Sequence, residues 1–224
     1  MDRLTLLRTH RLGARRWNAA TIAVAFAVLA ALLFSPTAHA GQTPADYVQH
    51  KVNEGVGILS DKSLAGTART DKFRAFILNL VDERNIALFT LGNYRRGADD
   101  ALLNEFVQTF TEYSVAVYEA RLGEYSGQTL RVTDTLERTP TDIVVTTILD
   151  DKGQSGEPIN VAFRLSKKGA DFTVVDIQVV GIWLAIDQRS QFTSFLGQNG
   201  GDISKLIADL KKRTADVRAG IAEK

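Results

Sequence analysis

The chain has 224 residues, enough for one ordinary domain or at most two small ones, and its formal net charge of +1 conceals an asymmetry. Residues 1–40 carry five arginines and one aspartate, while the remaining 184 residues hold 22 basic and 25 acidic side chains, a net charge of −3, which argues against a nucleic-acid binder working through a basic surface. Cysteine is absent and His50 is the single histidine beyond residue 40, so disulfides, thiol nucleophiles, thiolate metal sites and multi-histidine metal sites are excluded.

The start reads as an export signal. Arg3, Arg8, Arg11, Arg15 and Arg16 precede a charge-free, largely apolar run of 16 residues from Ala19 to Phe34. Pro36 breaks the helix, and Ala38-His39-Ala40 supplies the small-x-small pattern of a cleavage site before Gly41. A spanning helix wants about 20 apolar residues, so a cleaved signal peptide over 1–40 is expected in preference to a retained anchor. The expected mature protein is one domain over 41–213, with a frayed tail over 214–224.

Helices come first. Thr43 and Pro44 make a helix start, and Val48, Val52, Val56 and Leu59 recur at helical spacing up to Ser60. Thr70 caps an apolar run through Phe73, Phe76, Ile77, Leu80 and Val81, continued by Ile86, Leu88 and Leu91, with Gly92 as a stop. Beyond the polar turn at 95–99, a longer helix reaches about Leu122 with Leu103, Phe106, Phe110, Tyr113 and Val117 on its stripe.

The period then changes. Four strands are expected over 129–138, 142–150, 159–166 and 172–180, joined by connections too short for crossover helices, so the sheet is antiparallel. In the fourth, Phe172, Val174 and Asp176 oppose Val175, Ile177 and Val179. Two helices close the chain, one over 187–196 and one capped by Asp202. The predicted architecture is α+β, a strongly curved antiparallel sheet of about four strands covered by helices.

Catalytic chemistry finds little support. His50 has no partner, and Asp82-Glu83-Arg84 and Asp99-Asp100 read as solvated helix faces or caps, because adjacent residues on a helix do not face one site. A hydrolase with an Asp/Glu pair assembled by the fold and a protein-interaction module remain the rival readings. The apolar residues suit either a filled core or a lined pocket.

The order of motifs resembles the MlaC/Ttg2D family of periplasmic phospholipid-binding proteins, the toluene-tolerance group, over about 44–212. The residues carrying the resemblance are Leu91-Gly92-Asn93-Tyr94-Arg95, Asn104 to Phe110, Tyr125-Ser126-Gly127, Val175 to Leu184, Arg189-Ser190-Gln191-Phe192 and Gly200 to Ile207. Trp183, where a serine is common, and Gln188, where an aromatic often precedes Arg189, depart from the family pattern and leave room for a hopanoid-associated branch carrying a polycyclic lipid.

The resemblance implies an NTF2-like, MlaC-like fold with an apolar cavity between its layers. It implies a periplasmic, monomeric, non-enzymatic carrier without cofactor, shuttling a phospholipid between an inner-membrane ABC transporter complex and an outer-membrane lipoprotein complex that maintain outer-membrane lipid asymmetry. It also implies acyl-chain lining by Phe106, Phe110, Val117, Val161, Phe163, Val174, Val179, Trp183 and Phe192. Arg189 is read as a headgroup contact, a tether of the closing helix, or an ion-pair partner of a carboxylate such as Asp176.

Overall fold

The computed structural model describes residues 42–64, 67–122, 125–150 and 158–220. The expected leader and the connection over 151–157 between the second and third expected strands lie outside the described residues. Helix α1 (Pro44–Ser60) starts where Thr43 accepts a hydrogen bond from the Asp46 amide at 3.1 Å. The apolar run that follows is two helices. α2 (Thr67–Leu80) ends at Val81, whose backbone bridges to Val174. Asp82 then caps α3 (Glu83–Thr90) by accepting from the Asn85 amide at 3.1 Å. A 3-10 turn (Gly92–Arg95) leads to α4 (Asp100–Leu122), where Asp99 accepts from the Leu102 amide at 2.8 Å. The carboxylates read as caps or solvated faces thus include two working caps.

The sheet has five antiparallel strands: β1 (Thr129–Thr139), β2 (Asp142–Asp150), β3 (Asn160–Lys168), β4 (Asp171–Val179) and β5 (Ile182–Trp183), in that spatial order. This corrects the expectation of a strongly curved sheet of about four strands around one cavity. The sheet is open, neither closed nor strongly curled, with β1 and β5 as its edges. Closure would require those edges to pair. β5 is only two residues long, and the chain leaves the sheet at Leu184 to form α5 (Leu184–Gln198), followed by α6 (Ile203–Arg218). α6 continues past Thr214, which is itself buried.

Two apolar clusters hold the helices and sheet. α1 and α2 lie against the sheet through Val48, Val52 and Leu80, which meet Val145, Phe163 and Leu165. Gln49 ties α1 to edge strand β1, accepting from the Val132 amide at 3.0 Å and donating to the Leu130 carbonyl at 3.2 Å. The second cluster is helical, with Phe106, Phe110, Phe192, Leu196 and Leu206 drawn from α4, α5 and α6.

Two glycines explain fragments of the sequence motif. Gly92 has φ +57°, and a Cβ there would stand 3.0 Å from Thr193 Cγ2 and 3.3 Å from Arg189 Nε. Gly201 has φ +76° and a Cβ would press the Tyr94 ring at 3.2 Å. The stretch around residues 91–95 therefore packs directly on the stretch around 189–201, and close backbone approach demands glycine at both contacts.

The β4–β5 hairpin turns on only Val180 and Gly181, between the paired Val179 and Ile182. Both turn residues have positive φ, 50° and 82°, the pattern of a primed hairpin turn that Asn-Gly adopts readily. A β-branched residue pays for that conformation by about 1–3 kcal/mol. Val180 is exposed and packs little. Val180→Asn is therefore expected to raise stability by about 1 kcal/mol, seen as a higher thermal midpoint; an unchanged or lower midpoint would contradict the strain.

Candidate functional site

A bulge shapes the site. Leu165 pairs with Val174 and Arg164 with Asp176, leaving Val175 as the extra residue on β4. Strict alternation would put 174 and 177 on opposite faces, but with Val175 bulged out they pair with Leu165 and Phe163 on one face. Val174, Asp176 and Ile177 all line one hollow of about 170 Å³ between β4 and helices α2 to α5. Its apolar wall includes Leu80, Ile86, Phe110 and Val115. Its polar side is made by Glu83, Thr111, Ser114, Tyr118, Asp176 and Gln188. Thr111 donates to Glu83 at 3.2 Å, while the Gln188 amide nitrogen is buried without a hydrogen-bond partner among the described residues.

A second hollow of about 180 Å³ lies between α1, α2 and the sheet, lined by Val52, Val56, Phe73, Phe76, Leu130 and Phe163 among others, and nearly all of its surface is apolar. Ile77, Leu80, Val174 and Ile177 line both hollows. These four aliphatic side chains are the partition between them. A cavity of about 150 Å³ lined by aliphatic and aromatic groups holds a benzene-sized guest, so each hollow as it stands shelters a short hydrocarbon segment. A long chain requires the partition to move.

Of the candidate lining residues, the structure brings Phe110, Phe163 and Val174 to the hollows. Phe106 and Phe192 sit in the closed helical cluster, edge-on to each other at 6.1 Å between ring centroids, and Val117 packs against that cluster. Val161 packs on the sheet cluster and pairs with Val179, which in turn pairs with Ile182. Trp183 pairs with Gln178 at the head of α5. Arg189 lies over the Phe89 ring, 4.9 Å from its centroid, a cation–π contact joining α5 to α3.

Asp176 holds α5 in place. Trp183 occupies the N-cap position without making a side-chain cap. Asp176, from the neighbouring strand and only 6 % exposed, substitutes by accepting from the Ala185 amide at 2.9 Å and the Ile177 amide at 2.8 Å. Arg164, which faces Asp176, directs its guanidinium to Asp142, with Nε at 2.8 Å from Oδ1 and Nη2 at 3.1 Å from Oδ2. Burial raises the Asp176 carboxyl above its ordinary value, although the backbone hydrogen bonds and Arg164 pull the other way. Hydrogen bonds from Arg164 hold Asp142 below its ordinary value.

The folded state thus binds the Asp176 proton more tightly than the unfolded chain does. Its contribution to stability is full below about pH 4 and declines as pH rises through the raised folded value. Asp176→Asn keeps an acceptor for the two amides and removes the charge, so the variant should gain on the parent between about pH 4 and pH 7. Asp176→Ala leaves the α5 amides uncapped and should cost about 1–3 kcal/mol. Urea titrations of the three proteins at both pH values measure this; an Asn variant as weak as the Ala variant at pH 7 would refute the capping role.

Sequence reasoning missed Ile77, Leu80, Ile177 and Tyr118, which line the hollows. Leu102, Val107, Ser114 and Tyr118 widen the stripe of α4, but the bulge that recruits Ile177 leaves no mark in a strand with β-branched residues at both even and odd positions. Among the described residues no group of three His, Cys, Asp or Glu can hold a metal ion, and no helix is long and apolar enough to cross a membrane.

Residues 49–212 match the model of the MlaC protein family. Among solved structures the chain is similar to a phospholipid-binding protein from Ralstonia solanacearum, determined in complex with a phospholipid. The TM-score is 0.68 at 21 % identity, and the match covers 77 % of this chain and 97 % of that one. Among curated proteins none matches significantly. With the larger part of its length inside the family match, the chain belongs to the MlaC family and carries that family's periplasmic lipid-binding fold.

Proposed function

We propose that this protein is a periplasmic carrier that takes up a phospholipid and performs no bond chemistry on it. The carrying observation is the pair of hollows divided by four aliphatic side chains, one nearly all apolar and the other apolar with a polar side. Each methylene removed from water is worth about 0.8 kcal/mol, so a 16-carbon chain carries an exposure penalty of roughly 12 kcal/mol. Transfer through water therefore needs an enclosure, with the charged headgroup left where its hydration is retained. Phe110, Phe163 and Val174, joined by Ile77, Leu80 and Ile177, are the lining this reading uses first. Arg189 serves as a tether of α5, given its place on Phe89.

MlaC-family proteins are typically non-catalytic lipid carriers, and the related Ralstonia protein is described as bound to a phospholipid. Both support the reading. Donor and acceptor are proposed to be an inner-membrane ABC transporter complex and an outer-membrane lipoprotein complex, with the mature chain beginning at Gly41 and acting as a monomer.

Native mass spectrometry of gently purified, exported protein tests this. A stoichiometric diacyl phospholipid is expected on organic extraction, and N-terminal sequencing should begin at Gly41. A polycyclic lipid in its place would move the assignment to a hopanoid-type cargo. A clean apo mass, with no uptake from phospholipid vesicles, would end the carrier reading.

A further inference from the structure

Gln188 presents an unmet chemical demand. Its amide nitrogen is buried and has no hydrogen-bond partner among the described residues, and the side chain lines the hollow that also exposes Ser114, Tyr118, Asp176 and Glu83. A buried donor left unpaired loses the hydrogen bonds water would make, so a native structure retains one chiefly where a ligand or ordered water completes it. The atom needed is an acceptor.

The charge of the surroundings narrows that acceptor. Asp176 and Glu83 face the same hollow, and among the described residues lining it there is no lysine or arginine. A phosphate drawn in beside two carboxylates, in an enclosure with a largely apolar wall, would lose hydration and gain repulsion. An uncharged carbonyl meets neither penalty. Beyond Gln188, the partition of Ile77, Leu80, Val174 and Ile177 leads toward the nearly all-apolar hollow, the arrangement suited to hydrocarbon attached to that carbonyl.

We propose that Gln188 is a specificity-determining residue whose amide donates to an acyl-ester carbonyl of the bound lipid, setting the chain inward and the phosphate outside. This rests on the carrier reading above and adds to it the linkage chemistry of the cargo. Gln188 belongs to α5, whose start is fixed by Asp176, so the donor is held on a positioned element and not on a loop.

The test compares two probes with identical headgroups and 16-carbon chains, dipalmitoyl phosphatidylethanolamine and its dihexadecyl diether, which lacks both carbonyls. The parent protein, stripped of lipid, is expected to bind the diester about five- to tenfold more tightly, the range of one hydrogen bond to a neutral buried donor. Gln188→Met keeps the length of the side chain without the donor. It is expected to bind both probes alike and, having no unpaired amide, to unfold at the same or a higher temperature. Equal affinities in the parent would overturn the proposal without any variant. A diester preference that survives in Gln188→Met would overturn the assignment to this residue. Binding of neither probe would defeat the carrier reading itself, and this inference with it.

Discussion

Truncation of Phe106 to alanine is expected to lower folding stability by about 3–5 kcal/mol while leaving lipid uptake per folded molecule unchanged. The ring is fully buried, 6.1 Å from both Phe110 and Phe192 between centroids, in the cluster that joins α4 to α5 and α6. Removing it deletes the transfer energy of a phenyl group and leaves a cavity that three packed helices cannot collapse to fill. A domain of this kind has only about 5–15 kcal/mol in total, so the loss is severe but survivable at low temperature. Denaturant unfolding measures the first part, and vesicle-uptake assays corrected for the folded fraction measure the second. Uptake falling further than folding would place Phe106 in the lipid's path after all.

Ile77→Trp is expected to do the reverse. Ile77 belongs to the partition and touches both hollows, neither larger than about 180 Å³. An indole placed there has empty space to enter, so the usual overpacking cost of about 1–3 kcal/mol is an upper bound. The same indole occupies the volume a hydrocarbon chain needs and is too bulky to swing aside. Lipid uptake should fall at least about tenfold, equivalent to roughly 1.4 kcal/mol of binding, with a folded, cooperatively unfolding protein. Ile77→Val, which keeps the partition small, should bind normally. A tryptophan variant that loads phospholipid as well as its parent would show that the chains lie elsewhere.

The two substitutions separate roles that composition alone leaves merged. Phe106 and Phe110 are one helical turn apart on α4, similar in the sequence pattern and equally plausible as lining. The structure puts the first inside a sealed cluster and the second at the boundary between that cluster and a hollow. Which side of a helix stays unfilled is a property of its neighbours. No periodicity within α4 encodes it.

Local chemistry was readable where a residue's own backbone preference decides the outcome. Thr43-Pro44 starts α1, Asp202 caps α6 through the amides of Ser204 and Lys205, and short polar connections make the sheet antiparallel. Gly92 was read as a stop, and the stop is there, but its second duty of admitting Arg189 and Thr193 needed the packed partner to become visible. The β4–β5 hairpin escaped notice because valine is a poor residue for a positive φ, so Val180-Gly181 does not advertise the turn it makes.

Family membership, the α+β class, the lack of thiol chemistry and the positions of most helices and strands follow from the amino-acid sequence, since they depend on composition, spacing and short-range conformational preference. The openness of the sheet, the bulge that brings Ile177 onto the face of Val174, the burial of the Gln188 amide and the division of apolar space in two belong to the tertiary structure. Hydrophobic attraction is non-directional and tells each apolar side chain only to leave water. Whether it ends against another side chain or beside an unfilled hollow is decided by the shapes that meet there.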